Sequence, residues 1–308
     1  MSAAEKLDRT ASLFEPDGPL AQAGIDAIRA DPRFPDAMRT FARGMISIYR
    51  GNRLLNALIN DRGRMVIGYL ALYLQDGGAP DGRGSGFGVG QLKALCAATG
   101  MASPGRTAAM LALMRMSGYI ESGRAPDDMR RHILLPTQRL RETHRERWRC
   151  VANAVRVVRP ELAAAFDIGD PEFEASYVRY TADYFIRGMR VIDVAPELLL
   201  FSDRNAGMMI LFSLLLAGEA GDTVPPRRPL AVSISALASR FGVSRVHVRS
   251  LFREAEAAGL IARDESHLVL KPMMIEACMN FFATTLLFVG HCAVLAAEDA
   301  SQSKERVA

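Results

Sequence analysis

LAVSISALASRFGVSRVHVRSLFREAEAAGLIARDESHLVLKP, residues Leu230 to Pro272, decides the reading of this chain. Leu237, Ala238 and Phe241 form the apolar stripe of a short helix. Gly242 allows a tight turn after it, because glycine enters the left-handed region without a Cβ penalty. Ser244 is the expected N-cap of a second helix. Val248, Leu251, Phe252 and Ala255 recur at helical spacing and make that helix's buried face. Gly259 stands where a C′ glycine stops a helix. Leu260 and Ile261 begin a strand, Asp264 to Ser266 turn, and His267 to Leu270 return. The opposite face of the second helix carries Arg245, Arg249 and Arg253 at i, i+4 and i+8, which puts three guanidinium groups along one edge.

Within this stretch, LASRFGVSRVHVRSLFREAEAAGLI resembles the helix-turn-helix of bacterial winged-helix repressors, the GntR and MarR families among them. The resemblance implies a module that lays its second helix in the major groove of double-stranded DNA, with guanidinium groups meeting phosphates or guanine edges. Ser244, Arg245, His247, Arg249, Arg253 and Arg263 are the DNA-binding candidates of this module.

The charge distribution agrees with a nucleic-acid partner. The formal net charge is only +4 over 308 residues. Residues 93–150 hold eleven Lys/Arg against five Asp/Glu, and residues 225–272 hold eight against four. The rest of the chain is therefore net acidic, and the positive charge sits in two blocks. Of the 38 basic residues only Lys6, Lys93, Lys271 and Lys304 are lysine. Arginine dominance suits bidentate contacts, although a GC-rich genome produces the same bias.

The second basic block repeats the first. In QLKALCAATGMASPGRTAAMLALMRMSGYI, residues 91–120, Leu95 matches Leu237, Gly100 matches Gly242 and Ser103 matches Ser244. Met110-Leu111 matches Leu251-Phe252, and Gly118-Tyr119-Ile120 matches Gly259-Leu260-Ile261. Ser103 is again a cap, with Pro104 at the N1 position that proline prefers. Upstream, Phe41–Met45 echoes Phe185–Met189, Asn60-Asp61-Arg62 echoes Ser202-Asp203-Arg204, and Met65–Ile67 echoes Met208–Ile210. The offset stays at about 140 residues through most of this length. The expected architecture is mainly α: two tandem winged helix-turn-helix domains whose long flanking helices form an intramolecular pseudo-dimer. The boundaries are an arm at 1–30, a first repeat at 31–158, a second at 172–300 and a tail at 301–308. The flanking helices are expected at about 36–60 and 172–200 before the modules, and at 137–156 and 273–297 after them.

The repeats are unequal. Glu121–Pro136 of the first reads as two short strands around a charged tip. DDMRRHILLPTQRLRETHRERW is similar to the wing and following dimerisation helix of the MarR family. That likeness implies Arg130 and Arg131 beside the minor groove or its phosphates, with Asp127 or Asp128 holding an arginine and Arg124 across the tip. The positions of Arg245, Arg249 and Arg253 are taken by Pro104, Ala108 and Ala112. Only Arg106 and Thr107 remain as polar candidates, with Ser103, at the start of that helix. The first copy should therefore supply phosphate or minor-groove contacts, and the second major-groove readout.

Other classes are weaker. The glycine-rich DGGAPDGRGSGFGVG, residues 76–90, has neither the Lys-Ser/Thr pair of a P-loop nor a preceding strand, so it is a loop and not a phosphate cradle. Cys96, Cys150, Cys278 and Cys292 form no C-x-x-C pair and suggest buried thiols rather than a metal site or disulfide framework. Met273–Ala297 is long enough to span a bilayer, but Glu276, Asn280, Thr284, Thr285 and His291 interrupt it, which favours a buried partner helix. His291 is expected in a core or interface. The N-terminus has no apolar signal core, so a cytoplasmic, nucleoid-associated protein is expected. No acid–base constellation or nucleophile motif supports an enzyme, and no cofactor is expected. The function indicated is sequence-specific transcriptional regulation through double-stranded DNA. A protein-docking winged helix and a ligand-responsive MarR-like sensor are the alternatives; nothing in the sequence identifies an effector pocket.

Overall fold

The computed structural model of the chain describes residues 12–48, 62–76, 86–125, 128–218, 221–264 and 267–307. The fold is mainly helical with two small antiparallel sheets. In chain order the helices are α1 (Gln22–Ala30), α2 (Phe34–Ile48), α3 (Arg62–Gln75), α4 (Val89–Ala98), α5 (Pro104–Met116), α6 (Gln138–Val158), α7 (Pro171–Ile186), α8 (Leu199–Ser202), α9 (Gly207–Leu215), α10 (Ile234–Phe241), α11 (Arg245–Ala257) and α12 (Pro272–Val307). The strands are β1 (Ile120–Arg124), β2 (His132–Pro136), β3 (Leu230–Ala231), β4 (Ile261–Arg263) and β5 (His267–Leu270).

Two runs of chain fold in the same order. In the second, β3 leads into α10, α11, β4 and β5, and the sheet order is β3-β5-β4. In the first, Phe87 pairs with Leu134 of β2, as Leu230 of β3 pairs with Leu268 of β5. Phe87 leads into α4, α5, β1 and β2, so β2 again lies between its partners. The punctuation also repeats. Gly100 and Gly242 hold φ of 69° and 66° between the paired helices, and Gly118 and Gly259 hold 71° and 72° after them. Ser103 and Ser244 each cap the following helix, accepting the N–H of Arg106 at 3.3 Å and of His247 at 3.0 Å. Such a cap contributes about 1 kcal/mol. After each hairpin the chain is tied back alike: Thr137 N–H donates to the Tyr119 carbonyl, and Lys271 N–H to the Leu260 carbonyl.

The long helices repeat the relation at the next level. α2 packs on α6 as α7 packs on α12, and α3 packs on α7 as α9 packs on α2. α6 and α12 also pack on each other. Each of these packings thus has a counterpart in the other half. One apolar core runs through both halves. α12 contributes Met274, Cys278, Phe282, Ala283, Cys292 and Ala293 to it. By length and composition α12 could cross a membrane, but half of its most apolar window is buried within the protein.

Three expectations change. The segment from residue 12 to 30 is not a loose arm. Leu13, Leu20, Ile25 and Ile28 are buried, α1 packs on α12, and Arg29 donates to Asn280 Oδ1 at 2.7 Å. The first eleven residues lie outside the described part of the chain. The expected helix at 172–200 ends at Ile186. Gly188 adopts φ 109°, its N–H bonds the Phe185 carbonyl, and Met189 N–H bonds the Tyr184 carbonyl. This is a glycine stop of the Schellman kind, and short 3-10 turns at Val191–Val194 and Pro196–Leu198 follow it. The tail at 301–308 continues α12 as far as Val307. The expected helix at 36–60 is seen to Ile48; residues 49–61, with Asn60 and Asp61, lie outside the described residues.

Candidate functional site

α11 divides into two faces. Val248, Leu251, Phe252 and Ala255 are buried beneath it, each large apolar group worth roughly 1.5–3 kcal/mol of burial. Arg245, Arg249 and Arg253 are exposed on the other face. Among the described residues no ion pair holds Arg245 or Arg249, and Arg253 donates only to Ser250 Oγ at 3.4 Å. Val246 stands beside them, 71% exposed. The helix start thus offers two unpaired guanidinium groups and one apolar side chain to an outside surface.

The other residues expected at this site have different duties. His247 Nε2 meets the backbone carbonyl of Asn205 at 2.9 Å, so its ring ties α11 to the turn before α9. Arg263 is turned back on its own module. Its Nη2 donates to Glu256 Oε2 at 3.0 Å, and its guanidinium lies 5.6 Å from the Phe252 ring centre. The Arg263 partner holds the Glu256 carboxyl below the usual carboxylate range. Ser244 serves as the cap. Among the described residues, the charged side chains that α11 turns outward without an ion pair are therefore Arg245, Arg249 and Arg253, with Val246 beside them. Val246 was missed in the sequence because a valine at helical spacing reads as core.

In the first run, Thr107 is fully buried and donates to the Ser103 carbonyl at 3.0 Å, which removes it from any outward role. Four residues into the helix, it belongs to the inner face beside Met110 and Leu111. Ser103 is occupied as a cap, and Arg106 is exposed. Apart from Arg106 and, in the last turn, Arg115, the exposed face of α5 is small and apolar, with Pro104, Gly105, Ala109, Ala112 and Met116. The hairpin beyond it is charged. Arg124, Arg130 and Arg131 are all exposed. Asp128 Oδ1 accepts the backbone N–H of Arg130 at 2.9 Å, and Arg124 Nη1 donates to the Arg130 carbonyl at 3.4 Å. Asp128 thus shapes the tip through the backbone, not by pairing with a guanidinium. Asp127 lies outside the described residues.

Sequence reasoning also missed a cavity of about 280 Å³ between the halves. α2, α3, α6, α7, α9 and α12 all contribute to its wall. The echoing stretches Phe41–Met45 and Phe185–Met189 both line it, although one is mid-helix and the other is the end of α7. Met65 meets Met208 across it in the same sense. Tyr69, His144, Trp148 and Tyr177 form an aromatic group, mostly buried, among α3, α6 and α7. Burial holds His144 neutral, its pKa lowered to about 3, with the nearby Arg147 charge acting in the same direction. His291, partly buried and bonded to Tyr184 at 3.0 Å, is likewise pushed down by desolvation. Cys96, Cys278 and Cys292 are buried and Cys150 is half-buried, all four as free thiols. No known family pattern, curated protein or solved structure matches the chain.

Proposed function

We propose that this chain is a sequence-specific double-stranded DNA-binding transcriptional regulator, built as two unequal winged-helix modules in one polypeptide. The observation that carries the reading is the outward face of α11. There Arg245, Arg249 and Arg253 are exposed at helical spacing, on a helix that follows a glycine turn and precedes a two-stranded hairpin. That is the order of elements by which winged helices enter the major groove. The recurrence of this order at Phe87–Pro136 supports a tandem duplication. The reciprocal packing of α2, α3, α6 with α7, α9, α12 supports an intramolecular pseudo-dimer. The buried inner face of α12 favours a cytoplasmic protein over an anchored one.

The two modules contact DNA differently in this reading. α11 reads base edges through Arg245 and Arg249. The first hairpin, with Arg124, Arg130 and Arg131 at its tip, grips phosphates or the minor groove. α5 carries only Arg106 at its start and Arg115 in its last turn, with no arginine stripe between them. The preferred site is therefore asymmetric, with one strongly specified half.

Selection from a random duplex library, followed by fluorescence anisotropy over a salt series, tests this. A one-sided consensus is expected. Replacing Arg245 and Arg249 with Ala should weaken specific binding by roughly 1–3 kcal/mol per lost base contact. Replacing Arg130 and Arg131 should flatten the salt slope and leave the consensus unchanged. A perfect palindrome, or binding indifferent to the Arg245/Arg249 double replacement, overturns the reading.

A further inference from the structure

The cavity between the halves carries several matched residues on its two sides. Phe41 and Met45 from α2 are matched across it by Phe185 and Met189. The second half supplies more of the wall than the first, and at one matched position the two halves differ in charge. Arg147 of α6 and Phe281 of α12 stand at the same distance beyond Thr137 and Lys271, the residues tied back behind each hairpin, and both line the cavity. One half offers a guanidinium where the other offers a phenyl ring.

The polar groups on the wall differ in what they have left to give. Thr181 donates to the Tyr177 carbonyl at 2.6 Å. Ser202 donates to the Leu199 carbonyl at 3.3 Å. Arg190 donates to the carbonyls of Phe185, Met189 and Thr99. Arg147 is the exception. Its hydrogen bond goes to Met65 Sδ, a weak acceptor, and among the described residues no carboxylate forms an ion pair with it. A permanently charged fork with five donors thus borders a space walled by phenyl rings and thioethers.

We propose that this cavity binds one small amphipathic monocarboxylate per chain, its apolar body among the phenylalanines and methionines and its carboxylate on Arg147. The wall is complementary to such a molecule and to few others. A neutral apolar molecule leaves the guanidinium with a thioether, and a cation is repelled by it. A polyanion brings charge that no second free cation on this wall answers. The volume lies at the small end of ligand pockets, which run upward from about 300 Å³, so the body is that of a medium chain or a fused bicyclic ring. The site is single because Arg147 stands on one side only, with Phe281 in its place on the other. It does not depend on the DNA-binding reading, since it rests on other residues and predicts binding in the absence of DNA.

Isothermal titration of the full chain with decanoate against 1-decanol, and 2-naphthoate against 2-naphthamide, tests it. Quenching or shift of Trp148, the single tryptophan of the chain and the residue after Arg147, gives a second readout. Both carboxylates are expected to bind with one-to-one stoichiometry, each at least about tenfold tighter than its neutral partner, as a charge-assisted pair should. Arg147→Met keeps an apolar side chain of similar reach and should erase that preference while leaving circular dichroism unchanged. Arg147→Lys should retain it in reduced form, and it serves if the Met variant fails to fold. Absence of carboxylate binding, equal binding of the neutral analogues, or a preference that survives Arg147→Met each overturns the proposal.

Discussion

His247 Nε2 donates to the backbone carbonyl of Asn205, which ties the start of α11 to the turn that opens α9. A carbonyl only accepts, so the bond fixes the proton on Nε2. A second tie runs beside it, from Arg204 to Glu254. The exposed arginines of α11 are thus mounted on the 203–206 turn. His247→Ala should cost about 1 kcal/mol or less in urea denaturation. Under the proposed DNA-binding function it should also weaken that binding without altering which bases are preferred. A changed consensus from His247→Ala would show that the imidazole reads DNA directly.

That turn holds a strained residue. Ala206 has φ 55°, in the left-handed region, and is buried. A left-handed Ala costs roughly 1–2 kcal/mol. The next position admits no side chain, because a Cβ on Gly207 would come within 2.0 Å of the Phe201 carbonyl oxygen. Ala206→Gly should therefore be neutral or stabilising by up to about 1 kcal/mol, the relief being offset in part by the freer unfolded chain. Gly207→Ala should be strongly destabilising. Thermal melts of the two variants check the pair, and an Ala206→Gly protein that melts well below the parent contradicts the strain.

What the sequence made legible was local. Apolar spacing, serine caps and glycine stops marked both helix-turn-helix segments, because each signal depends on neighbours a few residues away. Ser103, Gly100, Ser244 and Gly242 were readable for that reason. Side-chain direction was less readable. Thr107 and Arg263 are polar, and on a helix or hairpin that suggests an outward role. The buried position of Thr107 and the Glu256 partner of Arg263 are set by which face meets the core. The cavity was illegible, since Phe41, Arg147, Phe185 and Phe281 are distant in sequence and meet only when the halves close. The 186–198 break had local signals in Gly188 and Pro196, but apolar residues continue on both sides of it and carried the helix reading through.

The halves are joined by a buried ion pair. Arg145 on α6 donates from Nε to Glu174 Oε1 at 2.6 Å and from Nη2 to Oε2 at 2.8 Å, and Gly169 N–H adds a third bond at 3.0 Å. The Glu174 side chain is 4% exposed. Removing Arg145 leaves the Glu174 charge buried, which costs about 3–5 kcal/mol, whereas Arg145 without Glu174 keeps its ion pair with Glu142. Arg145→Met should lower stability on that scale, and Glu174→Leu by less. The double variant should recover much of the loss, since the uncompensated charge is gone. Chemical denaturation across the double-mutant cycle measures the coupling. Additive losses would mean that the pair contributes little to holding α6 and α7 together.

His144 makes the fold acid-sensitive. It is 4% exposed, packed against Tyr69 and Trp148, and its pKa is lowered to about 3. Burial is the main cause, because the charged ring loses its water, and the Arg147 charge adds to it. In the unfolded chain the ring titrates at about 6.5. Above that value both states are neutral at this ring and its contribution to stability is complete. As pH falls below it the unfolded chain takes up a proton that the folded one refuses, so stability drops by at most about 1.4 kcal/mol per pH unit until pH nears the folded value. Urea titrations at pH 7, 6, 5 and 4 should show this loss, superposed on that of the carboxylates at the lower end. His144→Gln removes the titrating group and should flatten the slope between pH 6 and 5 by about one proton, whatever it costs at pH 7. An unchanged slope in that window would place the acid sensitivity elsewhere, with the partly buried His291 as the next group to replace.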